Sequence, residues 1–587
     1  MRVRRAATPA PWDHVSATRL MADLEALAQW ARLSGTPEEL KAFKYVRRQL
    51  QAAGCKTTLI MHDAYISLPG PAALAATVPG TGTSVTFPCI THSFSASTGD
   101  QAISATACYA GDGRPEDLVC VQPGGKIGVV DGLATPDRVH AAARAGAAGL
   151  VCLNRDPLVH EMIVSPVWGN PAPDDLDRLP RIPVVSVAAE HGDRLRDLVK
   201  GGAVWLHLRT QVDTGWRRTP ILIGELDGEV EDTFVMMAGH VDSWYRGAMD
   251  NGGANATMLE VARALAGVRR YRGVRFAFWS GHSHGRYSGS TWYADHFWHE
   301  LADRCVVHVN IDSVGGRHAV INRHAWAMPE TRAVADRVIR ALVGERFEGG
   351  RVGRAGDQSF LGVGLPSLLM SLSEQPADSP DASRDFNIRT GGATGGLGWW
   401  WHTTDDLPDK IDPQLLLRDA KIYVGVVHAF ATEPVLPLDY AATARDWLAT
   451  LRNLPRAAGR HLDLRAPLAD ARRLVEATAT LERVLRPLRE RPRRRAVRAA
   501  NAALMAIGRA LIPVGYTRRG RFDHDPALEQ RDIPLLASVR ALGGASGDAA
   551  KHLAVRAQRD LNAIRLALQQ AADVAEAAAR ELRRARR

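Results

Sequence analysis

The residues best suited to chemistry are histidines and aspartates that end short apolar runs. His240 and Asp242 end "TFVMMAGHVD", so a strand there would direct both side chains to the same side. Asp250 follows in a loop, Asp312 ends "CVVHVNID", and His402 lies in "WWWHTTDD". Imidazole and carboxylate bind zinc and similar divalent ions, and one carboxylate can bridge two cations. These residues therefore predict a site for one or two divalent metal ions.

A second group lies in the loop "WSGHSHGRYSGS" (279–290), which contains His282, Ser283 and His284. Histidine is a good metal ligand, whereas a serine hydroxyl is a poor substitute for a carboxylate. The ordinary pKa of histidine, about 6.5, also suits proton transfer near neutral pH. The two histidines of this loop are therefore candidates for binding a metal and for moving protons.

Side chains near these residues in the sequence are candidates for substrate binding. Arginine pairs bidentately with carboxylates, so Arg354, Arg384 and Arg389 could hold a substrate carboxylate, with a surface ion pair as the alternative. The glycine-rich stretch 389–402 predicts a mobile loop that ends in an aromatic wall. The candidate substrate-binding residues are Trp244, Tyr245, Arg246, Asp357, Arg389 and Trp401.

The elements that must position these residues alternate between apolar strands and helices from about 219 to 435. Near-continuous apolar runs indicate strands that are buried on both faces, and hence an α/β fold with a mostly parallel sheet. Ligands of such sheets bind beyond the carboxyl ends of the strands. Near the N-terminus, Thr36, Pro37 and Glu39 predict the start of a helix that Gly54 ends.

The chain divides further by composition. Short β-rich runs with one helix predict a small α/β unit at 75–215, and an Ala/Leu/Arg-rich pattern after Tyr440 predicts a helical bundle or dimerisation domain. The basic run Arg483–Asn501 predicts a solvated helix face broken at Pro487 and Pro492, and no nucleic-acid module accompanies it. The predicted domains are 1–74, 75–215, 216–437 and 438–587.

The bulk composition is that of a soluble globular protein, with 587 residues, 46% hydrophobic and 24% charged, and a net charge of +10. Six scattered cysteines favour a reducing compartment and argue against a disulfide framework. The first twenty residues contain no apolar segment typical of a signal peptide, and we find no uninterrupted apolar run of about 18–20 residues. The prediction is a cytoplasmic protein without a membrane or nucleic-acid partner.

The order of these motifs carries a resemblance to a known family. An HxD pair, then DN, a Gly-Ser loop, NxD and a late HTxxD resemble the co-catalytic zinc exopeptidases of the glutamate carboxypeptidase and transferrin receptor type. The resemblance covers nearly the whole chain. It implies a zinc-peptidase α/β fold, a protease-associated domain inserted at 75–215 and a C-terminal helical dimerisation domain, and hence a homodimer.

The resemblance also implies roles for five residues. His240 and Asp312 would hold the first metal, Asp250 would bridge, Asp242 would support His240, and His402 would hold the second metal.

This sequence departs from the family in the loop 279–290. The family has two adjacent glutamates there, the first a general base and the second a ligand of the second metal. Aligned forward from Trp279, these positions hold His282 and Ser283; aligned backward from Gly289, they hold Ser283 and His284. Against this family pattern we expect His284, in preference to His282, to bind the second metal and the other histidine to move protons. The catalytic candidates are His282, Ser283 and Asp242.

The favoured function is a metal-dependent hydrolase of an amide or related C–N bond in a small molecule or short peptide-like substrate. Zinc is the favoured ion, with manganese, iron and nickel as alternatives. Two other functions stay open: a metal-dependent lyase or other non-hydrolytic enzyme with a histidine base, and a non-catalytic receptor-like protein.

Overall fold

The computed structural model describes residues 10–80, 82–530 and 532–585. Residues 1–9, on which part of the prediction about a signal peptide depends, lie outside the described residues. The strands in these ranges are β1 (Lys56–Thr77), β2 (Ser84–Phe87), β3 (Ile90–Thr91), β4 (Ile103–Tyr109), β5 (Ile127–Asp131), β6 (Gly149–Leu153), β7 (Val184–Val187), β8 (Trp205–Leu226), β9 (Phe234–His240), β10 (Gly273–Trp279), β11 (Cys305–Asn310) and β12 (Ser367–Leu368).

Helices occupy both ends of the chain and the segments between the strands. The α-helices are α1 (Ala17–Leu27), α2 (Pro37–Ala52), α3 (Pro115–Val121), α4 (Pro136–Arg144), α5 (Ala189–Gly201), α6 (Ala254–Ala266), α7 (Ser288–His296), α8 (Trp298–Arg304), α9 (Arg332–Val343), α10 (Arg384–Arg389), α11 (Pro413–Thr432), α12 (Tyr440–Arg452), α13 (Arg465–Glu490), α14 (Arg494–Tyr516), α15 (Ala537–Ala541) and α16 (Gly547–Arg584). An irregular segment, Ala248–Gly253, precedes α6, and the backbone angles of Asp250 and Asn251 within it are not helical.

The sheet confirms the predicted α/β fold. Its strand order is β12-β11-β9-β10-β8-β4-β5-β6-β7-β3. Strands β12, β11, β9 and β10 are parallel, and β8 is antiparallel to β10. Every residue of β9, β10 and β11 is buried, as the apolar runs predicted.

A long antiparallel ribbon joins the two parts of the sheet. Strands β1 and β8 pair from Lys56 opposite Glu225 to Thr77 opposite Trp205. The ribbon therefore crosses both predicted boundaries of the 75–215 unit, which we call the insertion. The insertion carries its own parallel strands β4, β5, β6 and β7. The division into four domains stays a prediction.

The N-terminal helix α2 begins as its sequence predicts. The Thr36 side chain accepts a hydrogen bond from Glu39 N, and Pro37 is the first helical residue. Phe43, Val46 and Leu50 are fully buried, whereas Leu40 is half-buried. Helix α2 packs against β8. The preceding residues Arg32 and Ser34 bond to Val241 and Asp242, which follow β9.

The C-terminal helices pack together, with α16 in contact with α13 and α14. Pro487 lies inside α13, so the predicted break at that residue is wrong; the chain breaks between α13 and α14, at Pro492 and its neighbours. In the described part of the chain, α14 is the one helix that is long and apolar enough to cross a membrane, and 61% of its most apolar stretch is buried inside the protein. The six cysteines are unpaired.

Candidate metal centre

Strand register brings the predicted ligands to one edge of the sheet. β9 ends at His240, which pairs with Trp279 at the end of β10. On the other side of β9, Asn310 at the end of β11 pairs with Ala238. Because parallel strands end at the same edge, Asp312 and the loop that follows Trp279 both lie beside His240.

Four predicted ligands come together around Asp250. His240 Nε2 lies 3.0 Å from Asp250 Oδ1 and 3.5 Å from Asp312 Oδ1. The other oxygen of the same carboxylate, Asp250 Oδ2, lies 2.8 Å from His402 Nε2. Asp250 therefore presents one oxygen to each histidine, which is the arrangement of a carboxylate that bridges two cations.

Asp242 contacts both His240 and the loop 279–290. His240 Nδ1 donates to the main-chain carbonyl of Asp242 at 2.8 Å, so Nε2 remains free to bind a metal. The Asp242 carboxylate lies 3.7 Å from that Nδ1. It accepts hydrogen bonds from Ser34 Oγ at 2.7 Å and from the main-chain N of Ser283 at 2.8 Å. The carboxylate thus holds the loop 279–290 in place.

His282 faces the ligand group. One ligand atom each of His240, His282 and Asp312 lie within 4.8 Å of one another. The His282 ring stacks on the His240 ring with centroids 3.7 Å apart, and its Nδ1 lies 2.8 Å from Asp357 Oδ2. Asp357 in turn accepts a hydrogen bond from Ser290 Oγ at 2.6 Å. Asp357 therefore orients His282, and the substrate-binding role predicted for Asp357 stays a prediction.

His284 has different neighbours. Its Nδ1 lies 3.0 Å from Ser34 Oγ, and its ring packs 4.4 Å from Trp244. Its Nε2 and the Ser283 Oγ are buried and have no hydrogen-bond partner among the described residues. The geometry thus places His282, rather than His284, beside His240 and Asp312. The metal-binding role predicted for His284 stays a prediction.

Two unpartnered atoms indicate that the group fits a metal. His240 Nε2 and Asp250 Oδ1 are buried and lie 3.0 Å apart, but neither atom has a well-oriented hydrogen bond to a described residue. Buried polar atoms are rarely left unpaired, and these belong to residue types that zinc prefers. Burial alone would lower the pKa of His240, but Asp242, Asp250 and Asp312 outweigh it and raise this pKa well above its ordinary value. The surplus of carboxylates thus favours a positive charge at this position.

Asp406 positions Asp250, a role that sequence reasoning missed. The Asp406 carboxylate accepts hydrogen bonds from the main-chain N of Met249 at 2.8 Å and of Asp250 at 3.0 Å. Burial raises the pKa of Asp406 to about 7, although these two bonds oppose the rise. The HTxxD motif contains Asp406 and was the signal that could have identified it.

Arg32 lies beside the loop from Val241 to Gly247, and sequence reasoning missed it as well. Its side chain is fully buried, and burial lowers its pKa to about 10. Nearby carboxylates, among them Asp406, Asp250 and Asp242, oppose this shift. No motif marks Arg32, because its partners are almost all main-chain carbonyls. Those acceptors belong to Leu27, Trp30, Val241, Arg246 and Gly247.

Two of the predicted substrate-binding residues border the metal centre. The Trp401 ring stacks on the His402 ring with centroids 3.4 Å apart. Trp244 packs between His284 and His402, 5.6 Å from the latter. These two tryptophans give the centre an apolar, aromatic wall.

The predicted arginines contact the protein itself. Arg246 Nη1 donates to the carbonyl of Ala28 at 3.0 Å. Arg354 lies over the Trp168 ring at 4.1 Å, and the exposed Arg389 lies over Phe386 at 4.9 Å. The structure therefore directs these side chains towards protein groups, and the exposed Arg384 lies in helix α10 with Arg389.

The loop 389–402 requires its glycines. Gly396 has a φ of +65°, and a Cβ there would lie 2.5 Å from Phe386; Gly398 has a φ of +95°, and a Cβ there would lie 2.8 Å from Trp400. Residues 394–396 are buried, so this part of the loop packs against the protein. Its predicted mobility stays a prediction.

Tyr245 contacts a buried glutamate of the insertion. The Tyr245 hydroxyl donates to Glu161 Oε1 at 3.2 Å, while Glu161 Oε2 has no hydrogen-bond partner within the described ranges. Burial raises the pKa of Glu161 from 4.5 to about 8. At neutral pH this side chain is therefore mostly protonated.

Replacement of Glu161 by glutamine is expected to change how stability depends on pH. Because the folded-state pKa is raised, the wild-type side chain contributes its full stability below pH 4.5 and loses it as the pH rises through about 8. The Glu161→Gln protein cannot ionise there, so its stability relative to wild type should rise by about 2–4 kcal/mol between pH 5 and pH 8.5. Urea unfolding at both pH values measures this, and equal shifts at both would contradict it.

Comparison with known proteins agrees with this centre. Residues 222–427 match the model of "Peptidase family M28". A probable glutamate carboxypeptidase of Zea mays is 24% identical over 494 residues, which cover 72% of this chain and 68% of that protein. An aminopeptidase of Pseudomonas aeruginosa is 26% identical over 315 residues, covering 50% of this chain and 55% of that protein.

Solved structures show the same fold. An aminopeptidase from Aneurinibacillus sp. strain AM-1 has a TM-score of 0.53 at 20% identity and covers 72% of this chain and 95% of its own. A zinc aminopeptidase from Bacillus subtilis has a TM-score of 0.53 at 18% identity and covers 73% of this chain and 97% of its own. Residues 222–427, which contain His240, Asp250, Asp312 and His402, are thus similar to peptidase family M28.

Proposed function

We propose that this protein is a metal-dependent hydrolase that cleaves an amide or related C–N bond in a small, peptide-like substrate. The observation that carries the proposal is Asp250, whose two carboxylate oxygens face His240 at 3.0 Å and His402 at 2.8 Å. A divalent cation bound there would supply Lewis acidity to a substrate carbonyl. The similarity to a probable glutamate carboxypeptidase and to an aminopeptidase supports a peptide-like substrate.

The two proposed metal positions differ in the ligands that are available to bind an ion. The first has one histidine and two carboxylates, His240, Asp250 and Asp312, which is a complete ligand set for zinc. The second has Asp250 and His402, and Ser283 is its third neighbour in the forward alignment from Trp279. A hydroxyl binds zinc less well than a carboxylate does, so we expect the second ion to be held more weakly.

His282 takes the place of the glutamate base in this proposal. Its Nδ1 is occupied by Asp357, so its Nε2 is the nitrogen that can accept a proton. A carboxylate on one ring nitrogen fixes the orientation and the tautomer of the ring. His282 would take a proton from the attacking water and return it to the leaving nitrogen, while Asp357 holds the ring.

The matched variants His282→Ala and His284→Ala test this assignment. Elemental analysis should find zinc in wild type and in both variants. Hydrolysis of a panel of amino-acid amides and dipeptides should be about 10²–10⁴-fold slower in His282→Ala, because positioned proton transfer contributes an effect of this size. His284→Ala should lose less activity, because its ring contacts Ser34 and Trp244 rather than the ligand group.

Four outcomes would contradict parts of the proposal. Loss of a metal in His282→Ala would make His282 a ligand, and loss of a metal in His284→Ala would restore the role predicted from the sequence. If products formed without incorporating oxygen from labelled water, the enzyme would be a lyase or another non-hydrolytic enzyme. A wild-type protein that binds no zinc, manganese, iron or nickel would be receptor-like. Homodimerisation through the C-terminal helices and a cytoplasmic location remain predictions.

A further inference from the structure

We propose that the insertion is part of the second metal position, with His160 and Glu161 as positioning residues for His402. This inference rests on the proposed metal-binding role of His402. It concerns a contact between residues 160–161 of the insertion and residues 401–402, which lie 241 positions later in the chain. Neither His160 nor Glu161 belongs to the matched segment 222–427.

Glu161 holds His402 through its main chain. His402 Nδ1 donates to the carbonyl of Glu161 at 2.7 Å, and the main-chain N of Glu161 donates to the carbonyl of His402 at 2.9 Å. The first bond fixes the tautomer and the plane of the ring, which leaves His402 Nε2 towards Asp250. The second bond fixes the backbone that carries the ring. The main-chain N and the carbonyl of Glu161 therefore both bond to the proposed metal ligand His402.

His160 holds the residue before His402. Its Nδ1 donates to the carbonyl of Trp401 at 2.5 Å, and its Nε2 lies 3.0 Å from Asp156 Oδ2. Both side chains are fully buried. Asp156 also accepts hydrogen bonds from the main-chain N of Arg384 at 2.7 Å and from Ser383 Oγ. His160 therefore connects the insertion to the loop 389–402 and, through Asp156, to the start of α10.

The same cluster does not suit a metal of its own. Asp156, His160 and Asp385 each place one ligand atom within 4.8 Å of the others. Both nitrogens of His160 already have partners, however. Asp385 accepts hydrogen bonds from the main-chain N of Arg155 at 2.9 Å and from the Arg155 guanidinium at 3.2 Å. These contacts satisfy the cluster without an ion. It is therefore a clamp that fastens the insertion to helix α10 and to Trp401.

The clamp should affect the metal affinity of the second position most, because that position has the weaker set of ligands. The second metal position lacks the carboxylate that the family has at Ser283, so its affinity depends strongly on the placement of His402. Partners that orient a ligating histidine typically contribute about 10–100-fold in metal affinity. We therefore expect loss of the clamp to weaken the second ion and to leave the first, held by His240, Asp250 and Asp312, unchanged.

The variants His160→Ala and Asp156→Asn test the clamp, with His62→Ala as a matched control. His62 is also a buried histidine and bonds a side chain, Thr219 Oγ1 at 3.0 Å, but belongs to β1. Zinc titration against a chelator should show about 10–100-fold weaker binding of the second ion in both clamp variants, and no change in the control. In metal-free protein, hydrogen exchange of residues 398–404 should be faster in the clamp variants only.

The two readouts separate the inference from the proposed function. If wild type binds two ions and both clamp variants bind them equally well with unchanged exchange at 398–404, the inference is wrong. If wild type binds no zinc, the proposed function fails, whereas the exchange comparison still decides whether the insertion holds His402. Retention of the first ion shows that a variant is folded. If the His160→Ala protein does not fold, the Asp156→Asn protein alone tests the inference.

Discussion

The Asp250→Asn protein is expected to bind neither metal ion tightly and to lose about 10³-fold or more in kcat/KM. Asparagine has nearly the same size as aspartate but offers one neutral oxygen where the carboxylate offers two charged ones. In the structure each of those oxygens faces a different histidine, His240 and His402. Loss of one electrostatic contact in an active site commonly costs 10²–10³-fold, and Asp250 serves both metal positions.

Charge reinforces the expected effect of this substitution. Burial would raise the pKa of Asp250, but contacts with His240 and His402 lower it well below its ordinary value. The side chain is therefore ionised throughout the physiological range, and the substitution removes a full negative charge from the ligand set. Elemental analysis after exposure to excess zinc measures the loss of metal, and kcat/KM on amino-acid amides measures the loss of activity.

Asp419→Asn is the matched control for this experiment. Asp419 is likewise fully buried, but it accepts hydrogen bonds from Gly315 N at 3.2 Å and Ser373 Oγ at 2.6 Å, and it pairs with Arg418. It should change stability without removing a metal. Retention of both ions by the Asp250→Asn protein would show that Asp250 is not a bridging ligand, and the proposed site would have to be abandoned.

The second large effect is on stability: Arg32→Met is expected to lower the free energy of unfolding by about 3–5 kcal/mol. Methionine keeps much of the apolar stem but donates no hydrogen bond. The substitution would leave several buried carbonyls without a donor, including those of Val241 at 2.8 Å and Gly247 at 2.8 Å. Each unsatisfied buried acceptor costs about 1–3 kcal/mol, and removal of one member of a buried charged network costs about 3–5 kcal/mol.

Urea unfolding of metal-free protein measures this change, so that metal affinity does not enter the result. Arg269→Met is the control, because Arg269 is exposed and pairs with Glu229 at the surface; such pairs contribute about 0–1 kcal/mol. Equal stabilities of the Arg32→Met and Arg269→Met proteins would mean that Arg32 does not organise the loop from Val241 to Gly247.

The sequence by itself was enough to predict that His240 and Asp312 meet at one edge of the sheet. His240 and Asp312 follow apolar runs, and buried parallel strands must end at the same edge of a sheet. Local spacing therefore sufficed to predict that these residues meet, and the structure places His240 Nε2 3.5 Å from Asp312 Oδ1. The start of α2 was predictable for a similar reason, because Thr36 and Glu39 interact within one turn.

Only the tertiary structure decided how the remaining groups are used. His282 and His284 are two residues apart, and their sequence neighbours do not distinguish them. Their rings are oriented by contacts with different residues far away in the chain, His282 by Asp357 and His284 by Ser34. Arg32 binds main-chain carbonyls, which no residue pattern reveals. His160 acts through the carbonyl of Trp401, 241 residues later. The sequence determined which side chains can bind a metal because strand patterns are local, whereas the groups that orient them depend on contacts between distant segments that form only when the chain folds.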